Sequence, residues 1–418
     1  MLASKLRMQS ILPQLKNQRV LMRADFNVPV KEGVVTDSKR IKETLPSIQM
    51  ALDQSPKSLV LMSHLGRPNG MPNSKYTLRP VANELEKLLG REVLFLSDCV
   101  GPHIEQATAE AKNGSVILLE NLRFHGAEEG SRKIDGKKEK EDKETIARFR
   151  KSLTSHGDIY INDAFGTSHR AHSSVVGVDL PTRAAGQLLS KELDYFSKVL
   201  EKPDKPLLII LGGAKVSDKI QLISNLLDKC DEMIIGGAMA FTFKKVVTGH
   251  DIGSSLFDEE GSKLVPDIMK KAQEKGVKIH LPVDFKCAET PEDLSSVQEY
   301  EGDIPMHLKG FDIGQKSLGA FGEAVQRAGT VFWNGPMGMF EVPEFRTGSE
   351  GVFKEILARS KRGNLVSVVG GGDTGAFVSS MGSGADCISH ISTGGGASLE
   401  LMEGKVLPGV QHLSDASK

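Results

Sequence analysis

The sequence predicts an α/β protein of two similar-sized domains, each a parallel β-sheet flanked by helices, joined by a long connecting helix. Three observations carry this. The chain has 418 residues, too many for one ordinary core at about 150 residues per domain. Short β-branched or apolar runs alternate with helical patterns along its length, as βαβ units require. Polar or glycine-rich clusters stand at the ends of successive runs, where open parallel sheets bind their ligands.

Taken in order, the runs of the first half are residues 19–23, 58–63, 92–96, 115–119 and 158–162. Between the first two, Ile41, Leu45, Ile48 and Leu52 form one helical stripe. Pro46 inside it lacks a backbone donor and is expected to kink the helix or delay its start. Leu189, Leu193, Phe196 and Leu200, between Gly186 and Pro203, mark a helix over residues 186–201. The second half repeats the rhythm at residues 206–211, 232–235, 277–281, 330–333, 364–369 and 386–391, with no sequence repeat relating the halves. The densest charge run, residues 128–144, mixes Lys and Glu around Gly130 and Gly136 and reads as a solvated loop.

Composition excludes several classes. Hydrophobic residues are 39% and charged residues 26%, close to globular averages and far from disorder. No apolar run approaches the roughly 20 residues of a membrane span, and the first residues lack the apolar core of a signal peptide, so an intracellular protein is expected. Cys99, Cys230, Cys287 and Cys387 are widely spaced with no CxxC, which points to reduced packing residues and to neither a zinc site nor a disulfide framework. The net charge of -1 hides an asymmetry. Residues 1–187 hold 28 Lys and Arg against 22 Asp and Glu, giving +6, and the remainder 25 against 32, giving -7. Arginine falls from 13 in the first part to 4 in the second while glycine rises from 13 to 30. Arg presents a planar fork of donors to phosphate and carboxylate oxygens, and Gly lets backbone N–H groups approach a phosphate. One half is therefore expected to clamp a small polyanion with side chains and the other to cradle phosphates with main chain. A charge of +6 spread over 187 residues, with few aromatics among the basic groups, argues against nucleic acid.

The clusters read Asp25-Phe26-Asn27, Ser63-His64-Leu65-Gly66-Arg67, Glu120-Asn121-Leu122-Arg123 and Asn162-Asp163 through His169-Arg170, then Gly212-Gly213-Ala214-Lys215, Gly236-Gly237, Asn334-Gly335-Pro336, Gly370-Gly371-Gly372-Asp373-Thr374 and Thr393-Gly394-Gly395-Gly396. Gly370-x-Gly372-x-x-Gly375 formally matches a dinucleotide-binding fingerprint, but it lies near the end of the chain and position 395, where an acidic residue is wanted, is glycine. A nicotinamide-dependent dehydrogenase is thus the runner-up. Neither a P-loop nor the loops of a protein kinase occur. Asp373 could cap the helix that opens there or hold Mg2+ on a nucleotide. Lys215 and Lys219, four residues apart on one expected helix face, are either a surface pair or phosphate contacts. His64, His169 and His172 lie beside arginines, and no nucleophile–base pair is evident. Trp333 and residues 337–340 are expected to be packing.

Eight motifs in order make the chain resemble the phosphoglycerate kinase family over almost its whole length. They are Arg23 through Pro29, Ser63 through Pro68, Leu119 through Phe124, Asn162 through Gly166 with His169 through His172, Leu211 through Lys215 with Lys219, Trp333 through Pro336, Gly370 through Thr374, and Ser392 through Ser398. The departures are the charged loop at 130–144 and Gly375, where a different small residue is usual. The segment before Arg23 has the family's usual length, which argues against a transit extension. The resemblance implies a Rossmann-like three-layer sandwich in each domain. It implies a phosphoglycerate-binding domain at 1–185 with 403–418 returning to it, an interdomain helix at 186–201, and a nucleotide-binding domain at 202–402. It further implies reversible phosphoryl transfer from 1,3-bisphosphoglycerate to MgADP after hinge closure, as in glycolysis, by a cytoplasmic monomer with neither nucleic acid nor membrane as partner. Carried over residue by residue, the phosphoglycerate site falls to Asp25, Asn27, Arg40, His64, Arg67, Arg123 and Arg170. The nucleotide site falls to Gly212, Gly213, Lys215, Lys219, Gly237, Phe311, Asn334, Glu341, Gly372, Asp373 and Thr374, with Glu341 at the ribose and Asp373 near Mg2+. The catalytic set is Arg40, Lys215, Lys219, Gly372 and Gly395. Arg40 stands apart from every strand-end cluster and comes from the resemblance alone.

Overall fold

The computed structural model describes residues 2–416. The chain divides into two units, one built from residues up to Asp194 together with those from Val406 onward, the other from Tyr195–Lys405. The division falls inside the helix Gln187–Leu200.

The first unit is organised by six strands: β1 (Arg19–Arg23), β2 (Ser58–Met62), β3 (Val93–Phe95), β4 (Ser115–Leu118), β5 (Ile159–Asn162) and β6 (Thr182–Ala185). They form one parallel sheet in the order β6-β5-β1-β2-β4-β3. Alternation of side chains along each strand sends Val20, Met22, Leu59, Leu61, Ile159 and Ile161 to one face, where they pack with Ile41 and Ile48 of helix Lys39–Leu52 and with Val81 and Leu85 of helix Arg79–Leu89. Leu21, Val60, Met62, Ile117 and Tyr160 go to the other face, against Ile104, Phe149 and Leu153. With both faces covered, the central strand β2 is buried along its whole length.

The second unit repeats the plan with β7 (Leu207–Leu211), β8 (Glu232–Ile235), β9 (Lys278–His280), β10 (Thr330–Asn334), β11 (Val366–Gly370) and β12 (His390–Ile391), parallel in the order β9-β8-β7-β10-β11-β12. Leu208, Ile210, Val331, Trp333 and Val369 pack on Phe321, Val325, Phe353 and Phe377. From β7 the chain winds outward to β8 and β9 and then returns to β10 on the other side. The crevice between the ends of β7 and β10 is therefore a topological switch point, the usual ligand position in an open α/β sheet.

Several expectations are corrected. Strand β6, reading Thr-Arg-Ala-Ala, carries no apolar run and was not anticipated. The run predicted over 386–391 is a strand only at His390–Ile391, after a 3-10 helix over Gly382–Cys387. Pro46 does not delay its helix, which begins at Lys39. Much of the charged loop is an exposed antiparallel hairpin pairing Ser131–Ile134 with Lys137–Lys140. A three-stranded antiparallel sheet of Asp284–Ala288, Gln298–Glu301 and Lys309–Ile313 was also missed.

The last segment closes the first unit at its β6 edge. Ser414 N donates to Arg183 O at 2.8 Å, Leu6 N to Ser414 O at 2.8 Å and Ala185 N to Leu6 O at 2.9 Å. Lys5 Nζ adds bonds to Leu413 O at 3.1 Å and Asp415 Oδ1 at 3.0 Å.

Candidate active site

In the first unit β1 pairs Arg23 with Met62 and Asn162, so the segments following β1, β2 and β5 emerge side by side. Arg23 itself is fully buried. It donates to Ser174 Oγ at 2.9 Å, to Ala24 O, and to His64 Nδ1 at 3.3 Å. Burial holds His64 neutral, well below its ordinary pKa, with Arg23, Arg123, His172 and Arg40 adding repulsion. A neutral imidazole accepting at Nδ1 carries its proton on Nε2. His172 is pushed down to about 3, first by burial and then by Arg123, Arg23, Arg170 and His169. Glu128 and Glu129 lie 3.9 and 3.8 Å from its ring nitrogens, but these distances are too long to outweigh desolvation and three arginines. Two neutral histidines thus sit inside a field set by Arg23, Arg40, Arg123 and Arg170.

The other residues expected here fall around that field. Asp25 accepts from Arg40 Nη1 at 2.6 Å, which brings Arg40 from the first turn of helix Lys39–Leu52 to the end of β1. Asn27 Oδ1 accepts from Gly66 N at 2.9 Å. Arg123 is set in a 3-10 turn, Leu122–Phe124, capped by Asn121, and donates to Gly66 O at 2.9 Å. Arg67 and Arg170 are exposed, and neither guanidinium has a hydrogen bond or ion pair among the described residues. Pattern reading passed over Arg23 as a site group because it counted as the last residue of the first strand, before the cluster that begins at Asp25; its contact with His64 is visible only in three dimensions.

In the second unit Leu211, Asn334 and Gly370 align across β7, β10 and β11. The turns beyond them touch so closely that a Cβ on Gly212 would stand 1.9 Å from Pro336 O, and one on Gly237, at φ 66°, would stand 2.5 Å from Gly213 N. Only glycine fits there, and the close approach exposes main chain to a cavity of about 490 Å3. Of the expected nucleotide residues, Gly213, Gly237, Phe311, Glu341 and Asp373 line it. Behind the wall, Thr374 Oγ1 accepts from Gly335 N at 2.6 Å, and Lys219 Nζ donates to Asn334 Oδ1 at 2.6 Å. Burial lowers the Lys219 pKa to about 8, against an opposing pull from Asp373.

Lys215, Gly372 and Gly395 do not line the cavity. Lys215 does not share a helix face with Lys219 as expected, since residues 217–219 form a 3-10 turn and the helix begins only at Ile220. It is exposed, and its ammonium has no hydrogen bond or ion pair among the described residues. Gly372 opens helix Gly372–Ser380 onto open space, and Gly395, at φ 51°, precedes helix Gly396–Met402 likewise. The sequence did not reveal Phe241, Leu256 and Lys309 as cavity wall. Met337, Met339 and Phe340, expected to be packing only, line it too. The wall thus pairs apolar surface with glycine backbone. Asp373 offers a carboxylate without a hydrogen bond or ion pair among the described residues, a hard oxygen donor suited to Mg2+.

The sequence profile of phosphoglycerate kinase matches residues 9–405. The chain belongs to the phosphoglycerate kinase family. It is 60% identical over 375 residues to the phosphoglycerate kinase of Condylostoma magnum, covering 90% of this chain and 99% of that one. It is 55% identical over 419 residues to that of Tetrahymena thermophila, covering 99% of each. The solved phosphoglycerate kinase structure of Coxiella burnetii aligns with a TM-score of 0.85 at 35% identity, covering 98% of each chain. That of Pyrococcus horikoshii aligns with a TM-score of 0.74 at 29% identity, again covering 98% of each. Membership makes this chain a phosphotransferase of glycolysis acting on small-molecule substrates, nucleotide included. Among the described residues no helix is long and apolar enough to cross a membrane.

Proposed function

We propose that the first unit binds the phosphoglycerate and the second the nucleotide, and that a phosphoryl group passes directly between them. The acyl phosphate of 1,3-bisphosphoglycerate and ADP give 3-phosphoglycerate and ATP, reversibly. In the reverse direction the nucleophile is a carboxylate already ionised near neutrality. In the forward direction it is a phosphate oxygen. No proton has to be removed, so the work reduces to positioning and charge neutralisation. The observation that carries this reading is the field around His64 and His172: two histidines held neutral among four arginines are poor general acids but good hydrogen-bond partners in an anion site.

Arg67 and Arg170, whose guanidinium groups have no hydrogen bond or ion pair among the described residues, grip the substrate's anionic oxygens, and His64, Arg123, Asp25 and Asn27 fix its orientation. Arg40 neutralises charge at the reacting centre. In the second unit Gly212, Gly213 and Gly237 bring main-chain donors to the phosphates, while Phe311 and the neighbouring apolar wall accept a flat base and Glu341 the ribose. Lys219 holds phosphate oxygens beside Asn334, with Thr374 bracing that turn. Lys215 and the N–H groups at Gly372 and Gly395 meet the transferring group. Asp373 would hold Mg2+, which when bound neutralises phosphate charge. The domains run 1–185 with 403–418, then the helix 186–201, then 202–402, and the enzyme works as a cytoplasmic monomer without nucleic-acid or membrane partner.

Separate anion sites require closure for transfer, because only both ligands together recruit Arg40 and Lys215 to one centre. Small-angle scattering should show a radius of gyration that falls clearly with 3-phosphoglycerate and a non-hydrolysable MgATP analogue together, and less with either alone. An unchanged radius with both shown to be bound would remove closure from the mechanism. The two-unit reading itself is tested by titration calorimetry on Arg170→Ala. Loss of 3-phosphoglycerate affinity with MgADP binding intact supports it, and equal loss of both overturns it.

A further inference from the structure

Outside this machinery the fold assembles a second group of chemically active side chains. Asp98 and Cys99 lie in the turn between β3 and helix Pro102–Ala109, and His125 lies between the 3-10 turn Leu122–Phe124 and helix Gly126–Glu129. A carboxylate oxygen of Asp98, Sγ of Cys99 and a ring nitrogen of His125 all fall within 4.8 Å of one another. We propose that Asp98, Cys99 and His125 bind a zinc-class divalent ion through carboxylate, thiolate and imidazole. The wide spacing of the cysteines hid this arrangement in the sequence, since the third group comes from a separate strand connection.

The geometry needs only small adjustment. Bond lengths of about 2.0–2.3 Å in a tetrahedral zinc site put neighbouring ligand atoms roughly 3.3–3.7 Å apart. Asp98 Oδ1 and His125 Nε2 stand 2.7 Å apart, so that pair opens by about half an ångström and the thiol moves in by about one. All three residues lie outside the sheet strands and helices, where such movement is least costly. The Cys99 thiol is buried and has no hydrogen-bond partner among the described residues. Asp98 and His125 keep 45% and 33% of their side chains exposed, so an ion can enter. His125 also lines a cavity of about 520 Å3 with Val100, Gly101 and Gly126, room for the water that completes four-coordination.

The charge is favourable as well. Asp98 itself is a ligand, and the carboxylates of Glu128 and Glu120 lie near enough to act on the Cys99 sulfur through space. The same carboxylates attract a divalent cation, which takes the proton's place. On binding, the Cys99 S–H bond breaks and its proton leaves to solvent. His125 binds through Nε2 once its hydrogen bond to Asp98 gives way, with the ring proton carried on Nδ1. Affinity should therefore rise with pH.

The test uses the full-length protein with zinc alone, titrated against a chromophoric chelator, and cobalt(II) as a spectroscopic substitute whose thiolate complexes absorb by charge transfer. One equivalent of cobalt should bind with a thiolate band, tighter at pH 8 than at pH 6, and zinc should displace it. Cys99→Ala should abolish the band, and His125→Gln should weaken zinc binding by about tenfold or more. Circular dichroism establishes that each variant is folded. His125→Gln, at a partly exposed position, keeps the test open if Cys99→Ala does not fold. Absence of a thiolate band, a band surviving in Cys99→Ala, or zinc affinity unchanged in His125→Gln would each overturn the proposal.

Discussion

In the first unit the groups at the strand ends are guanidinium and imidazole side chains, many committed to one another through Arg23, His64, Asp25 and Arg40. In the second they are glycine turns packed so tightly that a methyl group would strike Pro336, with Lys219 half-buried behind them. Charge tethered to side chains and charge presented by main chain fail in different ways. The first is lost when a side chain is shortened, the second when one is added. The contrast follows the arginine and glycine counts of the two halves.

The sharpest challenge to the contrast is Lys215, a side-chain charge in the half ruled by backbone. Lys215→Ala should lower turnover by roughly two orders of magnitude and change MgADP affinity far less, because a charge used mainly in the transition state affects rate more than ground-state binding. Steady-state kinetics with calorimetry decides it, and turnover near wild type would return Lys215 to the surface. Gly212→Ala comes next. Its methyl meets backbone that cannot swing aside, so a loss of about 1–3 kcal/mol in stability is expected, with weakened nucleotide binding and unchanged 3-phosphoglycerate binding. Thermal unfolding and titration of both ligands measure this, and wild-type behaviour would mean that the turn is not a tight cradle.

An effect of similar size, confined to one ligand, is expected from Arg67→Ala, which removes one charge-assisted contact worth about 1.5–3 kcal/mol. The 3-phosphoglycerate affinity should fall roughly tenfold or more while MgADP binding stays the same. The mildest test is pH. The Lys219 pKa is lowered to about 8 in the folded, unliganded protein, so its charge is present below that pH and lost above it. MgADP affinity should hold from pH 7 to about 8 and then decline by at most about tenfold per pH unit. Arginine does not titrate in this range, so 3-phosphoglycerate affinity should stay level. Lys219→Met should flatten the nucleotide profile, and an unflattened profile would assign the titration elsewhere.

What could be read from the sequence follows from burial. A strand covered on both faces, such as Leu207–Leu211, is a continuous apolar run, and the polar residues beyond it announce the ligand end. Strand β6 escaped because Thr-Arg-Ala-Ala has no such run and owes its place to backbone pairing with β5 and with residues near 6 and 414. The cavity wall was half visible. Gly213, Gly237 and Asp373 lie at strand ends, whereas Phe241 sits in a helix and Lys309 in the antiparallel sheet, where no local pattern marks them. Lys215 and Lys219 were read as one face because spacing of four suggests a helix, but the intervening 3-10 turn separates an exposed lysine from a half-buried one.

The bonds that tie Leu6, Arg183 and Ser414 together have a consequence for how the molecule is made. The first unit is begun first on the ribosome yet lacks its closing segment until residues beyond Lys405 emerge, whereas Tyr195–Lys405 is contiguous and can fold as soon as it is free. At about 5–20 residues per second, the 211 residues of that stretch impose a wait of roughly 10–40 s. Until the closing segment is made, the β6 edge of the older half lacks the pairing through Leu6 and Ser414 and is open to chaperones and to mispairing.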